Sequence, residues 1–377
     1  MNDNQRDPAP TESTHMTRIR AKTLLAAVAI ATAAALTTTT SGYSADAQTD
    51  DEVAAAALPT TYQWESTGPL IGPKPNSGHN VVSVKDPTVV QDATGKWHVF
   101  MTTANTAGAW SLAYTSFTDW SQAGSAPHTF LDTNPNIGTR YAAAPHVFYF
   151  APQNLWYLVY QTGLPSYSTT SNINDPMSWS APRNFQSSMP QIVRDNIGNG
   201  HWLDYWVICD ATNCYLFSAD DNGHVYRAET TVANFPNGFT NTQIVLQDTR
   251  NNLFEGGAVY NIDGTGDYLL LWESIGSNGA RYYRTYTADT LRSTWQPQAT
   301  SQSAPFAGAS NVTFPSGRWT TDISHGELLR SGRDQTMTID TDDLRMLYQG
   351  RDPNSGGDYS QLPYRLALLT LEGGSSC

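Results

Sequence analysis

The chain has 377 residues, of which 39% are hydrophobic and 11% aromatic, so it can bury a sizeable core and is not a disordered protein. Its formal net charge is −13, and no lysine occurs after Lys96, so no basic tract is available to neutralise phosphates. This balance argues against nucleic acid and anionic membrane surfaces as partners and is compatible with a neutral polymer.

Residues 1–47 have the pattern of a secretory signal peptide. Arg18, Arg20 and Lys22 precede the apolar run "LLAAVAIATAAAL", which is too short to span a bilayer, and small residues follow it. We expect cleavage after Ala47 and a secreted, extracellular protein without a membrane span; a buried core helix is the alternative. Residues 48–57 are predicted to form a linker or tail before a domain at 58–377.

From Pro59 onward, short runs rich in Val, Tyr, Trp, Phe and Thr alternate with Gly, Asn, Asp and Pro, which predicts an all-β fold. The runs recur as "GKWHVFMTT", "NLWYLVYQT", "NCYLFSAD" and "DYLLLWES", whose aromatic anchors lie 59, 59 and 53 residues apart. A second series, anchored at Trp120, Trp179, Phe235 and Trp295, follows in register. Repeats of about sixty residues with about four strands each are typical of β-propeller blades.

The length of the repeating region predicts a five-bladed β-propeller with a central active-site channel; a β-sandwich is the alternative. The innermost strand of each blade should begin beside the channel. Those starts carry, in chain order, Asp86, Pro145, Asp204, Glu255 and His325. Asp86 opens the strand "VKDPTVV", and its position beside the channel explains a carboxylate and a proline at the start of a β-prone run. Three carboxylates and a histidine are therefore expected to converge.

The sequence has no Cys-x-x-Cys pair and no His-Glu-x-x-His motif, so it gives little support to structural zinc or zincin chemistry. Cys209 and Cys214 flank the turn-rich tetrapeptide "DATN", so they could face each other across a hairpin and form a disulfide in an exported chain. A reduced buried pair is the alternative. Cys377 is left over at the end of the chain.

Clustered carboxylates in a polar funnel admit two interpretations: they hold a hard cation such as calcium, or they divide acid and base work on a glycosidic bond. The aromatic-rich, acidic and exported character favours a carbohydrate substrate. Lys85 neighbours Asp86, but adjacent strand residues face opposite ways, so their coupling could instead run through the substrate.

Long segments of the chain carry a family resemblance, among them "VKDPTVV", "APHVFYFAPQNLWYLVYQTG", "LFEGGAVY", "DISHGELLR" and "LPYRLALLTL". From about Leu58 to the C-terminal region the sequence resembles glycoside hydrolase family 62, the α-L-arabinofuranosidases of arabinoxylan. The resemblance implies an inverting hydrolase in which Asp86 is the general base, Glu255 the general acid and Asp204 the carboxylate that tunes Glu255. It also implies that Tyr359 lines the cleft for the xylan backbone, and Lys85 and His325 are further candidates for substrate binding.

The same resemblance implies a structural calcium ion near His325 at the channel floor, held largely through water, and no organic cofactor. The expected partners are arabinoxylan and its oligosaccharides, and the protein is expected to be a monomer. One departure from the family pattern is the segment Tyr141–Pro145, "YAAAP", where the family is expected to carry an arginine. The alternatives are a related propeller arabinanase or β-xylosidase, and a carbohydrate-binding propeller without activity.

Overall fold

The computed structural model describes residues 57–373. The predicted signal peptide (1–47), nearly all of the predicted linker (48–57) and Cys377 lie outside the described residues. Between residues 57 and 373, no helix is long and apolar enough to cross a membrane.

Almost all regular structure in the described part is β-strand, with one short α-helix, α1 (Gln191–Asn196). Single turns of 3₁₀-helix lie at Trp120–Gln122, Leu131–Thr133, Ala151–Gln153, Thr341–Asp343 and Tyr359–Gln361. The strands are β1 (Trp64–Ser66), β2 (Val81–Gln91), β3 (Trp97–Asn105), β4 (Trp110–Phe117), β5 (Thr129–Phe130), β6 (Ala143–Phe150), β7 (Leu155–Gln161), β8 (Pro165–Thr170), β9 (Arg183–Asn184), β10 (Leu203–Cys209), β11 (Asn213–Ala219), β12 (His224–Thr231), β13 (Thr240–Gln247), β14 (Ala258–Ile262), β15 (Tyr268–Ile275), β16 (Arg281–Ala288), β17 (Gln296–Pro297), β18 (Thr300–Ser301), β19 (Ala304–Pro305), β20 (Val312–Thr313), β21 (Ser324–Leu328), β22 (Thr338–Ile339), β23 (Arg345–Gly350) and β24 (Arg365–Leu371).

The strands form the five blades of a β-propeller, as predicted. Blades 1, 2 and 3 are four-stranded sheets in chain order: β2–β5, β6–β9 and β10–β13. Blade 4 contains β14–β17, with β22 added beside β14. The second strands, such as β7 and β11, are buried along nearly their whole length because each blade packs on its neighbours with both faces. This explains why they read as continuous apolar runs rather than as alternating ones.

Blade 5 joins the two ends of the described chain. Its sheet has the order β20-β1-β24-β23-β21, in which β1 pairs antiparallel with β24 and parallel with β20. The register places Trp64 opposite Leu371. This pairing closes the ring, because β1 from the start of the described chain lies between β24 and β20 from its end.

The innermost strands of four blades are interrupted by a β-bulge near the channel. Register shifts occur between Lys85 and Thr88, between Ala143 and His146, between Leu203 and Trp206, and between Ser324 and Glu327. Within three of the bulges a non-glycine residue adopts the left-handed conformation, namely Asp86 (φ 48°), Ala144 (φ 47°) and Asp204 (φ 55°). Bulges re-aim side chains, and a left-handed non-glycine residue costs roughly 1–3 kcal/mol, so this geometry is typical of functional sites.

Candidate active site

The six residues that the sequence singled out as site residues line one pocket of about 810 Å³ at the mouth of the channel. They come from every blade except the second. The six are Lys85, Asp86, Asp204, Glu255, His325 and Tyr359. The predicted convergence of carboxylates from different blades is therefore observed.

Asp86, Asp204 and His325 form a compact group. The Nδ1 atom of His325 lies 3.4 Å from Oδ1 of Asp86 and 3.8 Å from Oδ2 of Asp204. Burial opposes protonation of the imidazole, but Asp204, Asp86 and also Glu273 outweigh it and raise the pKa of His325. Burial likewise raises the pKa of Asp204, while His325 opposes this effect and Asp86 adds to it. The protonated form of His325 is thus favoured by the two carboxylates, and its charge in turn favours their sharing of the site.

Glu255 precedes β14 and has the surroundings of a carboxylic acid that keeps its proton. Burial raises the pKa of Glu255 well above its usual range, and the charges of Asp204 and Glu273 raise it further, with Arg281 opposing them. The backbone N–H of the next residue, Gly256, donates to Oδ2 of Asp204 over 2.8 Å. Asp204 is therefore held beside the segment that carries Glu255.

Lys85 faces the same pocket as Asp86, in contrast to the expectation that strand neighbours point opposite ways. The bulge between Lys85 and Thr88, with Asp86 left-handed, breaks the alternation of side chains. The Lys85 Nζ atom lies 3.8 Å from the ring centroid of Trp110 and 4.7 Å from that of Tyr359. At these distances the ammonium group is stabilised by cation–π attraction.

Two of the predicted strand starts are displaced by one residue. In blade 2 the residue that occupies the left-handed position of Asp86 is Ala144, not Pro145. In blade 4 that position is held by Gly256 (φ 62°), so Glu255 comes one residue earlier than Asp86 and Asp204 do in their blades. The repeat intervals predicted which blade carries each strand start but not which residue occupies the bulge. The bulge residues share a backbone conformation rather than a sequence motif.

Side chains on the second strands hold the bulges of the following blades. Backbone N–H groups donate to these side chains across four blade boundaries: Ala144 to Oγ1 of Thr102 (2.8 Å), Asp204 to Oε1 of Gln161 (3.2 Å), His325 to Oε2 of Glu273 (2.7 Å) and Asp86 to Oε1 of Gln349 (2.7 Å). In blade 3 the corresponding residue is Ala219, which pairs with Leu203 and has no side-chain acceptor. The Gly256 N–H is instead bound by Asp204 itself.

Sequence reasoning missed Glu273 and Arg281, two charged residues beside Glu255. Glu273 is 1% exposed, and its Oε1 lies 3.4 Å from Nη1 of Arg281. The guanidinium of Arg281 lies over the ring of Phe254, 4.1 Å from its centroid. A signal was present, because Glu273 is the penultimate residue of the run "DYLLLWES", the place that Gln161 and Thr102 occupy in their runs.

The rim of the pocket is aromatic. Tyr359 and Tyr141 are 47% and 45% exposed, which is unusual for large apolar side chains, and both lie about 6 Å from the Trp110 ring. Gln161 donates to the Tyr141 hydroxyl over 2.5 Å. Exposed rings around a polar pocket offer flat apolar faces to a ligand that also needs hydrogen bonds.

Below His325 and Asp204 the channel narrows to a cavity of about 20 Å³. This is room for about one water molecule, so a polymer cannot thread through the propeller. Calcium takes six to eight oxygen ligands, and no group of three or more His, Cys, Asp or Glu residues in the described part of the chain could hold a metal ion. The described side chains around His325 do not by themselves form a calcium site.

The predicted disulfide is present in the structure. Cys209 and Cys214 stand opposite each other at the end of the β10–β11 hairpin and are bonded. The intervening turn is closed by Asp210, which accepts backbone N–H bonds from Thr212 and Asn213. The bond lies at the far end of β10 from Asp204, so it stabilises the blade rather than lining the pocket.

A buried carboxyl group whose pKa is raised beside further carboxylates, in a pocket at the mouth of a propeller, is the arrangement that a glycoside hydrolase needs for its general acid. The sequence profile of Glycosyl hydrolase family 62 matches residues 63–370. The chain belongs to this family and is a glycoside hydrolase.

The similarity to known proteins covers most of the chain. Alpha-L-arabinofuranosidase C from Cellvibrio japonicus is 43% identical over 319 residues, which cover 84% of this chain and 48% of the relative. The chain thus spans about half the length of this curated relative. The catalytic domain of a family 62 alpha-L-arabinofuranosidase from Coprinopsis cinerea is 55% identical, with a TM-score of 0.82 over 85% of this chain and 100% of that one. A family 62 hydrolase solved in complex with xylotriose is 47% identical, with a TM-score of 0.79 over 82% and 98% of the two chains.

Proposed function

We propose that the protein is a secreted, inverting, exo-acting α-L-arabinofuranosidase that removes single arabinofuranosyl side chains from arabinoxylan. The observation that carries this proposal is the meeting of Asp86, Asp204 and Glu255 in one pocket that does not continue through the ring. A pocket of this form accepts a terminal sugar and leaves the polymer outside. Membership of family 62 and the similarity to two arabinofuranosidases support the choice of sugar.

In the proposed reaction Asp86 is the general base and Glu255 the general acid. Asp86 takes a proton from a water molecule, whose oxygen attacks the anomeric carbon of the arabinose. The bond from this carbon to the xylose oxygen breaks on the opposite face, and Glu255 gives its proton to the leaving oxygen. Attack from the opposite face inverts the configuration, so the product is β-arabinose together with an unbranched xylose unit.

Asp204 has a separate role in this scheme. Its carboxylate neighbours Glu255 and helps to keep the acid protonated until the glycosidic bond breaks. Lys85 and His325, which also line the pocket, are assigned to the hydroxyl groups of the bound arabinose. An ammonium and an imidazolium are strong donors to hydroxyl oxygens.

The aromatic rim is assigned to the xylan backbone. Tyr359 projects beside the pocket mouth, where a polymer that carries the arabinose must pass. The complex of a similar family 62 hydrolase with xylotriose supports a xylan backbone as the bound polymer. The acidic net charge of the chain does not oppose this partner, because the xylan backbone itself is neutral.

Proton NMR of wheat arabinoxylan during its first minutes with the purified protein tests the proposal. We expect β-arabinose to appear first, and an Asp86→Ala variant to release none. Release of xylose or of arabinan fragments would favour the related β-xylosidase or arabinanase. Binding of the polysaccharide without release of any sugar would favour a carbohydrate-binding propeller.

We also propose that the protein is exported, is a monomer and binds calcium. Export is supported by the leader pattern of residues 1–47, and mass spectrometry of the secreted protein should find a chain that begins at Gln48. Light scattering should give the mass of a single chain. Calcium binding is supported only by the family resemblance, and calorimetry after dialysis against a chelator tests it directly: absence of heat on adding calcium would contradict it.

A further inference from the structure

A buried row of side chains connects the far side of the pocket to Asp86. Glu273 accepts a hydrogen bond from the Ser324 hydroxyl over 3.0 Å, and the same hydroxyl oxygen accepts one from Nε2 of Gln349 over 3.1 Å. Oε1 of Gln349 in turn accepts the backbone N–H of Asp86 over 2.7 Å. All three side chains are at most 3% exposed.

The direction of the hydrogen bonds along this row follows from Glu273, its first residue. Three donors face the Glu273 oxygens: the Ser324 hydroxyl, the His325 N–H and, at 3.4 Å, the Arg281 guanidinium. Burial raises the pKa of Glu273, while Arg281, His325 and the hydrogen bonds to its oxygens oppose this effect and favour the carboxylate. An ionised Glu273 can only accept, so the single hydroxyl hydrogen of Ser324 then points to Glu273. The Ser324 oxygen can then only accept, which forces the Nε2 side of Gln349 toward it.

The consequence reaches the backbone of Asp86. With Nε2 of Gln349 turned to Ser324, its carbonyl oxygen faces the Asp86 N–H. The reverse orientation of the amide would bring two donors together at Asp86, leaving a buried N–H without a partner. Such support stabilises this backbone, because Asp86 is held at φ 48°, a left-handed conformation that costs free energy in a non-glycine residue.

We propose that Glu273, Ser324 and Gln349 are positioning residues for the proposed general base, and that the charge of Glu273 sets the orientation of the Gln349 amide that holds Asp86. This inference rests on the proposed function, in which Asp86 activates water. None of the three residues touches the reacting atoms in this scheme. Ser324 and Gln349 act on the reaction through the backbone of Asp86, and Glu273 does so in addition to raising the pKa of Glu255.

The test uses Ser324→Ala, Gln349→Leu and the double variant in the full chain, with 4-nitrophenyl α-L-arabinofuranoside as substrate. Each single variant should lower kcat on the order of 10–100-fold with KM changed less than about twofold, because a misplaced base slows the chemical step without weakening binding. The double variant should be no slower than Gln349→Leu alone, because both changes break one row. Additive losses would overturn the proposal.

Rescue of turnover by azide distinguishes a misplaced general base from a purely structural defect, because azide would not restore turnover to a protein with a structural defect. Azide carries no proton, so its attack on the anomeric carbon, with departure of 4-nitrophenol, needs no general base. It should therefore raise the turnover of Ser324→Ala and Gln349→Leu several-fold, as it should for Asp86→Ala, and leave the unmutated protein unaffected. Failure of azide to restore turnover in either single variant would overturn the proposal.

Ser66→Ala is the matched control. Ser66 is 2% exposed, belongs to the same blade and has a hydroxyl 2.7 Å from that of Tyr348, but it does not line the pocket. It should lose stability about as Ser324→Ala does, keep its kcat and show no response to azide. Should Gln349→Leu fail to fold, Ser324→Ala with azide decides the matter, because Ser324→Ala removes no charge near Glu255. An inactive unmutated protein would overturn the proposed function and this inference together, whereas an active parent with unaffected variants would overturn this inference alone.

Discussion

Glu255 has surroundings unlike those of an exposed carboxyl group, since burial and two neighbouring carboxylates favour its protonated form. If it is the general acid, Glu255→Ala should lower kcat/KM on arabinoxylan by about 10²–10⁴-fold, because the xylose oxygen is a poor leaving group that needs a proton. An aryl arabinoside with a good leaving group should lose much less. The measurement compares both substrates for the variant and for Glu229→Ala, a glutamate paired with Arg292 outside the pocket. Equal losses on both substrates would remove Glu255 from the acid role.

Asp204 offers a prediction about pH. The active form of Glu255 is protonated, so activity falls as pH rises through its pKa, and the negative charge of Asp204 raises that pKa. Asp204→Asn removes this charge but keeps an oxygen for the Gly256 N–H, so the alkaline limb of the kcat/KM profile should move to lower pH. An unmoved limb, or one shifted to higher pH, would contradict the tuning role. Asp221→Asn is the control, because Asp221 is another carboxylate of the pocket wall and is paired with Arg250. Its pH profile indicates how much the loss of any nearby charge shifts the pKa of Glu255.

The site residues differ in how far the sequence could predict them. Asp86 and Asp204 were found because each opens a recurring strand, and Glu255 because it lies close to such a position. Glu273 was missed because it ends a run that otherwise reads as apolar core. Its proposed positioning role depends on a hydrogen-bonded row through Ser324 to Gln349, which lie 51 and 76 residues further along the chain. Such contacts follow from blade packing and cannot be read from local pattern.

At the scale of single elements, the hairpin of β10 and β11 was predictable and the bulges were not. Cys209, the turn residues and Cys214 form a local signal, whereas the left-handed positions are occupied by residues as different as Asp86 and Ala144. Nothing in "AAAP" indicates a left-handed alanine. The bulge is imposed by the contact between blades, because its N–H groups are bound by side chains of the preceding blade.

The hairpin disulfide gives a prediction at this scale. Cys209 and Cys214 are 5 residues apart, and closing so short a loop in the unfolded chain stabilises the folded state by about 2 kcal/mol. Replacing both with alanine should lower the free energy of unfolding in urea by about this amount. Because Cys209 lies about 17 Å along β10 from Asp204, kcat should stay unchanged. Reduction of the unmutated protein serves as the control and should give the same stability loss; a large loss of kcat would instead link the hairpin to the pocket.

At the scale of the whole molecule, the repeats predicted the number of blades, but the composition of the last blade needed the structure. Blade 5 combines β1, near residue 65, with β20, β21, β23 and β24, all beyond residue 310. No periodic signal marks β1, because it is only three residues long. The ring nevertheless depends on it, since it fills the place between β24 and β20.

Ring closure can be tested at Trp64. Its side chain is fully buried, donates from Nε1 to the Phe306 carbonyl over 2.6 Å and packs against the Phe306 ring at 5.3 Å between centroids. Trp64→Ala should lower the free energy of unfolding by about 3–5 kcal/mol, the cost of deleting a large aromatic side chain from a core. Glu65→Ala, in the same strand but exposed, should change it by less than about 0.5 kcal/mol. If the blades unfold as one ring, the loss of activity in urea should coincide with the change in tryptophan fluorescence for the unmutated protein and for both variants. A transition of fluorescence that leaves activity intact would show that blade 5 opens while the carboxylates of blades 1, 3 and 4 stay assembled.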